Sequence, residues 1–305
     1  THMLHDSVRG VTEALSTNND DDALGPSGFG SDGFGPNGSG SELRVFTADA
    51  RYNANSATYV AWGWKAGGSA SSDSNGSITS SVSANTTAGF SIVTYTGNGA
   101  SSATIGHGLG VAPSLIIVKA RTEPTGGVHF GTDQGNWIVY VKPPNGIVNE
   151  TDALLLNKTD DFVDSAAGFN DTAPTSTVFT IGTADDVNES SDTYVAYCFA
   201  NVDGYCKIGS YLGNGNADGP TILTGFRPAC IIFKDTDTDG TNWWMFDNKR
   251  SPFNLVNDGI IAQGSDAEFS DNSNLQIDFL SNGFKHRATY ADLNASATPV
   301  IYMAF

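Results

Sequence analysis

Three carboxylates alternate through the stretch DTDTDGTNW, at Asp235, Asp237 and Asp239, with Gly240 and Thr241 completing the loop before Trp243. Carboxylates at alternate positions, a glycine for the sharp turn and a backbone carbonyl at Thr241 make up the first half of a calcium loop. The bidentate glutamate needed at the twelfth position is missing, since Phe246 stands there and Asp247 follows. The run also joins two strand-like segments, where a calcium loop of this type joins helices. A solvated acidic hairpin loop is therefore the first reading. A Ca2+ site through Asp235, Asp237, Asp239 and Thr241 is the second.

Other reactive groups are sparse. His107, His129 and His286 stand at no metal-ligand spacing from one another or from a cysteine. His107, between two glycines in GHGLG, reads as a turn histidine satisfied by backbone. No GxSxG nucleophile elbow occurs. Cys198 and Cys230 lie in apolar runs and, with Cys206, form no disulfide framework. The expectation is a protein without a catalytic residue, although acidic pairs able to cleave a glycoside are not legible from sequence. Trp137, Trp243 and Trp244 could stack on sugar rings. Trp137 and Trp243 sit inside strands at matching positions and read as core, leaving Trp244 and Tyr140 as the candidate exposed aromatics for a ligand.

Composition narrows the partners. Fifteen basic against 33 acidic residues give a net charge of −18. Such a surface repels phosphate backbones and anionic lipid, so nucleic acid and membrane insertion are poor expectations. No apolar run approaches the ~18 residues of a membrane-spanning helix. Glycine is frequent, at 35 of 305 residues, and charged residues make up only 16%. That profile suits short strands and many turns.

The elements that must position these groups are written more than once. GFSIVTYTGNG at 89–99 is answered by GYCKIGSYLGNG at 204–215, and GLGVAPSLIIVK at 108–119 by TGFRPACIIFK at 224–234. YVAYCF, ending at Phe199, is answered by VIYMAF, ending at Phe305. Earlier, NSATYVAWGW ends at Trp64, and DSVR at Asp6–Arg9 lies 241 residues before DNKR at Asp247–Arg250. Self-similarity of this kind marks a repeated structural unit. The units read as runs of short strands, among them Ser91–Tyr95, Leu115–Lys119, Trp137–Lys142, Val178–Gly182 and Tyr194–Ala200. Both faces of Trp137–Val141 are apolar, which calls for cover on both sides. The phrase Gly97-Asn98-Gly99 reads as a hairpin turn, and a phosphate cradle would need a helix after it. Only Val11–Leu15 and Asn254–Asp258 hint at a helical turn.

The expected fold is all-β, with tandem antiparallel β-sandwich modules from an internal repeat, about seven strands each. The expected organisation is a partial N-terminal repeat at 1–66, a Ser/Gly-rich linker at 67–87, and full repeats at 88–200 and 201–305. Residues 1–3 read as a cloning scar, and the chain, which begins part-way through a repeat, reads as an excised piece of a longer protein.

The phrases YVAWGWKAGG, GSITSSVSANTTAGFSIVTYTGNG, IGHGLGVAPSLIIVK, DSVRG and SNGF…IYMAF resemble a repeat found in tail-fibre-like structural proteins of tailed phages, notably of marine and cyanobacterial hosts. The resemblance implies a virion appendage, a homotrimer, other virion tail proteins as neighbours, and adhesion to a host-surface glycan or receptor. It carries no catalytic residue with it. One departure is Gly63, where the repeat has cysteine. Alternatives are a structural spacer or decoration fibre, a tail-spike polysaccharide depolymerase, and a free carbohydrate-binding module.

Overall fold

A computed structural model of the chain describes residues 2–10, 13–24, 34–36, 43–45, 49–130, 133–142 and 152–305. The N-terminal unit contributes β1 (Met3–Leu4), β2 (Leu15–Ser16), β3 (Phe34–Pro36), β4 (Leu43–Val45) and one helical turn, α1 (Ala50–Asn53). The first full unit opens with β5 (Ser71–Asp73), β6 (Ser80–Asn85), β7 (Phe90–Thr96), β8 (Ala103–Gly106) and β9 (Leu115–Ala120). It continues with β10 (Trp137–Val141), β11 (Asp152–Leu155), β12 (Val163–Asp164), α2 (Ala166–Phe169), β13 (Val178–Ile181), α3 (Asp185–Asn188) and β14 (Thr193–Phe199). The second full unit holds β15 (Lys207–Leu212), β16 (Thr221–Leu223), β17 (Cys230–Asp235), β18 (Trp244–Asp247) and β19 (Ile260–Ile261). It closes with β20 (Ile277–Leu280), β21 (Gly283–His286), α4 (Ala291–Asn294) and β22 (Pro299–Ala304).

The expected all-β fold is what forms. The main sheet of the first unit runs β12-β11-β10-β9-β14-β7-β6-β5, and that of the second runs β15-β22-β17-β18-β19. Their shared stretch has one order, with β7, β14, β9, β10 and β11 matching β15, β22, β17, β18 and β19. A smaller second layer, β8 with β13 or β16-β21-β20, covers one face of each main sheet. Pairing is antiparallel throughout the main ladders.

Each main sheet is apolar on both faces because each face has a partner. Even-numbered residues of β10 (Ile138, Tyr140) enter the core between the two layers of their own unit. Odd-numbered ones (Trp137, Val139, Val141) enter a separate core shared with Trp243, Met245, Ile301 and Met303 of the second unit and Leu15 of the N-terminal unit. The two-residue period of a strand sorts them. Trp64, Phe199 and Phe305, the last residues of the three matched strand endings, meet in this shared core. Their ring centroids lie 6.1 Å (Trp64–Phe199), 5.2 Å (Trp64–Phe305) and 5.6 Å (Phe199–Phe305) apart. Three equivalent positions thus meet at one point, the arrangement of units gathered around a common pseudo-three-fold axis.

The repeated GNG phrase is not a hairpin turn. It lies between β7 and β8, or β15 and β16, strands that belong to different layers, and it is fastened to the short helix opposite. The Asn188 and Asn294 side-chain carbonyls accept the N–H groups of Asn98 and Asn214, each at 2.9 Å. The backbone carbonyls of the same two asparagines take Gly99 and Gly215. A Cβ on Gly97 or Gly213 would come within 2.3 or 2.0 Å of a backbone oxygen, and Gly99 and Gly215 have φ of +67° and +65°. Only glycine fits at all four places.

Two further expectations change, and His2 and Met3, set aside in the sequence reading, enter the fold: Met3 pairs with Ser16, and the His2 N–H donates to Asn18 Oδ1 at 3.0 Å. The Ser/Gly-rich stretch 67–87 is no linker, because β5 and β6 lie within it and extend the first main sheet. Serine tolerates burial there because its hydroxyl finds a carbonyl, as Ser80 does at Gly106 (2.9 Å). The helical turns fall at α1 to α4. Leu15 begins a strand and Asn254–Asp258 is not helical. Two further sequence features, the phrase SDGF at 31–34 that echoes SNGF at 281–284 and the Asn-x-Thr sequon at Asn149, lie largely or wholly outside the described residues.

Candidate functional site

The aromatic candidates are core residues. Tyr140 and Trp244 are 1% and 2% exposed, facing the inner cores of the first and second units. Tyr140 packs edge-on against Phe169 (5.4 Å), and the Trp244 indole N–H donates to Asp292 Oδ2 at 2.9 Å. The parity that sends Trp137 and Trp243 into the shared core sends their neighbours into the other one. A strand covered on both faces leaves no wet side for a sugar.

The acidic loop is organised from within. Asp235 is buried, and its Oδ1 accepts the N–H groups of Asp237 and Thr238, both at 3.0 Å. Asp237 and Asp239 point to solvent. The Thr241 carbonyl, the fourth expected calcium ligand, accepts a hydrogen bond from Lys234 Nζ at 2.9 Å, and its Oγ1 another at 2.8 Å. An ammonium thus occupies the oxygen that a calcium ion would need. Among the described residues, no three His, Cys, Asp or Glu side chains converge as metal ligands.

Lys234 leads to the groups that matter, which sequence reading passed over. Its Nζ also donates to the Thr159 carbonyl of the preceding unit at 3.0 Å. Lys119, 115 residues earlier, does the same one unit back, to the Asp20 carbonyl (3.0 Å), and takes the Gly135 carbonyl of its own unit (2.9 Å). Burial pushes both ammonium groups down to about 8, against the pull of nearby aspartates, Asp22 and Asp186 for Lys119 and Asp235 and Asp292 for Lys234. The tryptophans follow the same rule. Trp137 Nε1 donates to the Ser16 carbonyl (3.0 Å) and Trp243 Nε1 to that of Leu155 (2.9 Å). Their backbone N–H groups go to Asn157 Oδ1 (3.0 Å) and Gln263 Oε1 (2.9 Å). His2, at the position matching Trp243, faces the carbonyls of Gly264 and Ile261 of the second unit, and burial lowers its pKa.

Arginines complete the ring. Arg9 pairs with Asp6 and donates to Tyr197 Oη at 3.3 Å, while Arg250 pairs with Asp247 and lies 5.9 Å over the Trp62 ring. Tyr197 and Trp62 are matching positions of YVAYCF and YVAWGW. The N-terminal unit thus grips the first, the first grips the second through the shared core, and the second grips the N-terminal one.

Inside each unit, Asp186 and Asp292 hold the start of β10 and β18. Asp186 accepts from the Phe130 (2.7 Å) and Asn136 (3.0 Å) N–H groups, and Asp292 from that of Asn242 (3.1 Å). Burial raises the Asp186 pKa. Each carboxylate serves a backbone, and His129 Nδ1 lies 3.8 Å from Asp186 Oδ2. His107 is bonded to backbone as expected, through Thr175 (3.2 Å) and the Leu109 N–H (3.2 Å). The three cysteines are buried free thiols, pushed up to about 12. A signal for the lysines and aspartates was present: each recurs at the repeat offset, in LIIVK/CIIFK and in DDVN/ADLN.

The chain matches, over residues 1–305, the family described as a domain of unknown function, DUF7483. It belongs to that family. No curated protein and no solved structure matches it. The phrases repeated within this chain supply the joints between units, through Lys119, Lys234, Phe199 and Phe305, and the acidic loop at 237–240 lies on the outside. On that outside, a polar cleft of about 410 Å³ opens beside β5 and β6, lined by Ser69, Ser71, Ser72, Asp73, Ser74 and Asn75 among others. Its hydroxyl, carboxylate and amide groups are of the kind that pair with sugar hydroxyls.

Proposed function

We propose that this chain is a segment of a phage tail fibre or related virion appendage, exposed on the particle and adhering to host-surface glycan. The observation that carries the reading is the meeting of Trp64, Phe199 and Phe305, which locks three copies of one β unit into a single body. Repeated residues go to that body, and the acidic and polar loops face outward. A homotrimer, which the tail-fibre resemblance implies, would multiply weak contacts. The cleft at 69–75 is the surface assigned to the glycan, and the net charge of −18 favours a neutral or basic saccharide over an acidic one.

A glycan array and a host-cell binding assay test this, run on the wild type and on Asp73→Ala with Asn75→Ala. Specific binding that the double variant loses supports the reading. Binding unaffected by it removes the cleft. No binding to any glycan or envelope favours a purely structural spacer, the reading that the investment in unit-to-unit contacts also supports. Shortening of a polysaccharide on incubation would replace adhesion by depolymerisation.

A further inference from the structure

In both full units the strand that ends at the three-fold axis is central: β14 lies between β7 and β9, and β22 between β15 and β17. The N-terminal counterpart, Tyr59–Ala66, is extended without strand partners. Val60, Trp62, Trp64 and Ala66 are half-buried, and Trp62, Trp64 and Ala66 pack on the shared core, while Tyr59, Ala61, Gly63 and Lys65 are exposed. Among the described residues, the backbone N–H and C=O groups from Val60 to Trp64 meet no partner. The matching face of β14 is fully covered, with Tyr194, Ala196 and Cys198 each 0% exposed.

We infer that Tyr59–Ala66 is a docking edge for a β-strand of this repeat's own type, a segment of the form Pro-x-x, three apolar residues and lysine, carried outside these 305 residues. The two full units state the chemistry of the occupant. β9 and β17 follow Pro113 and Pro228, and both carry the buried lysine just before their last residue. β9 lies antiparallel to β14 with Leu115 opposite Phe199 and Lys119 opposite Val195. Transferred to the N-terminal unit, that register sets the second residue after the proline opposite Trp64 and the lysine opposite Val60. The acceptor for that lysine is also defined. Lys119 and Lys234 reach the carbonyls of Asp20 and Thr159, two residues after the Asn18 and Asn157 side chains that cap the previous unit. Gln263 holds the third such position, which places the acceptor at the Ser265 carbonyl, beside Asp266. Folded β9 and β17 are both occupied, so a second folded copy of this chain is not the donor. Backbone pairing supplies the affinity and the alternating side chains the specificity, as in strand addition generally.

The test is titration of the intact protein with a labelled peptide of residues 108–121, GLGVAPSLIIVKAR, alongside a scrambled peptide and one carrying Lys119→Ala. Amide hydrogen exchange is followed in parallel. Saturable binding is expected, with new protection at Val60–Trp64, none with the scrambled peptide, and about tenfold weaker binding without the lysine. The inference is overturned if no peptide binds, if the scrambled one binds equally, if protection appears elsewhere, or if those amides are already protected in the free protein.

Discussion

His286 gives the sharpest quantitative expectation. Its ring is fully enclosed in the second unit by Tyr211, Phe233 and Phe284, at centroid distances of 5.0, 5.4 and 5.7 Å, and its Nε2 has no hydrogen-bond partner. Burial alone drives its pKa down from 6.5 to about 3. In the unfolded chain the ring titrates near its ordinary value, so between those limits the unfolded state binds the extra proton. Stability therefore falls as pH falls through this window. The loss is about 2 kcal/mol at pH 5 and approaches about 5 kcal/mol at its limit. Acidification also relaxes the repulsion of a chain carrying −18, which works the other way, so a comparison with His286→Phe isolates the ring. Urea denaturation of both proteins at pH 7 and pH 5 is the assay. The wild type should lose about 2 kcal/mol more than the variant. Equal losses, or an NMR titration of His286 near 6.5, would refute the account of a neutral ring sealed in an aromatic cage.

Other expectations follow from the joints and the acidic loop. Trp137→Phe and Trp243→Phe each strand a buried carbonyl across a seam and should cost about 1–3 kcal/mol, additively because the seams are separate; thermal melts check this. Asp235→Ala removes the acceptor of two backbone N–H groups and should cost about 1–2 kcal/mol, whereas Asp237→Asn with Asp239→Asn, or added calcium, should leave the melting temperature unchanged. A calcium-dependent rise would restore the metal reading. Lys119 and Lys234, held near 8 in the fold against 10.5 unfolded, bind fewer protons folded than unfolded between those values, so stability should rise with pH there. The rise should be absent in a Lys119→Met, Lys234→Met double variant. Above pH 10 the buried tyrosines Tyr95, Tyr197 and Tyr211, whose pKa values burial raises, reverse the trend.

The fold was legible where the physics is local and repeated. Strand positions followed from β-branched and aromatic runs, and the doubly apolar Trp137–Val141 correctly demanded cover on two sides. The misreadings came from treating composition or a short phrase in isolation. Serine-rich 67–87 looked like a linker because hydroxyl burial depends on carbonyls elsewhere in the chain. Gly-Asn-Gly looked like a hairpin because its true partners, Asn188 and Asn294, lie about 80 to 90 residues away. Tyr140 and Trp244 were assigned to solvent because position in a strand does not say how many layers cover it. The lysine staples were hidden because an isolated lysine reads as surface, and only its recurrence at the repeat offset marks it. Three-fold closure was latent in the matched endings at Trp64, Phe199 and Phe305, but sequence similarity says that units are alike, not that they meet.

Small-angle X-ray scattering tests that closure most directly. Measured on the monomer, units gathered around one axis predict a radius of gyration of about 19 Å, the value for a compact chain of this length, with a single-peaked distribution of interatomic distances. A larger radius with two maxima, the signature of beads on a string, would contradict it.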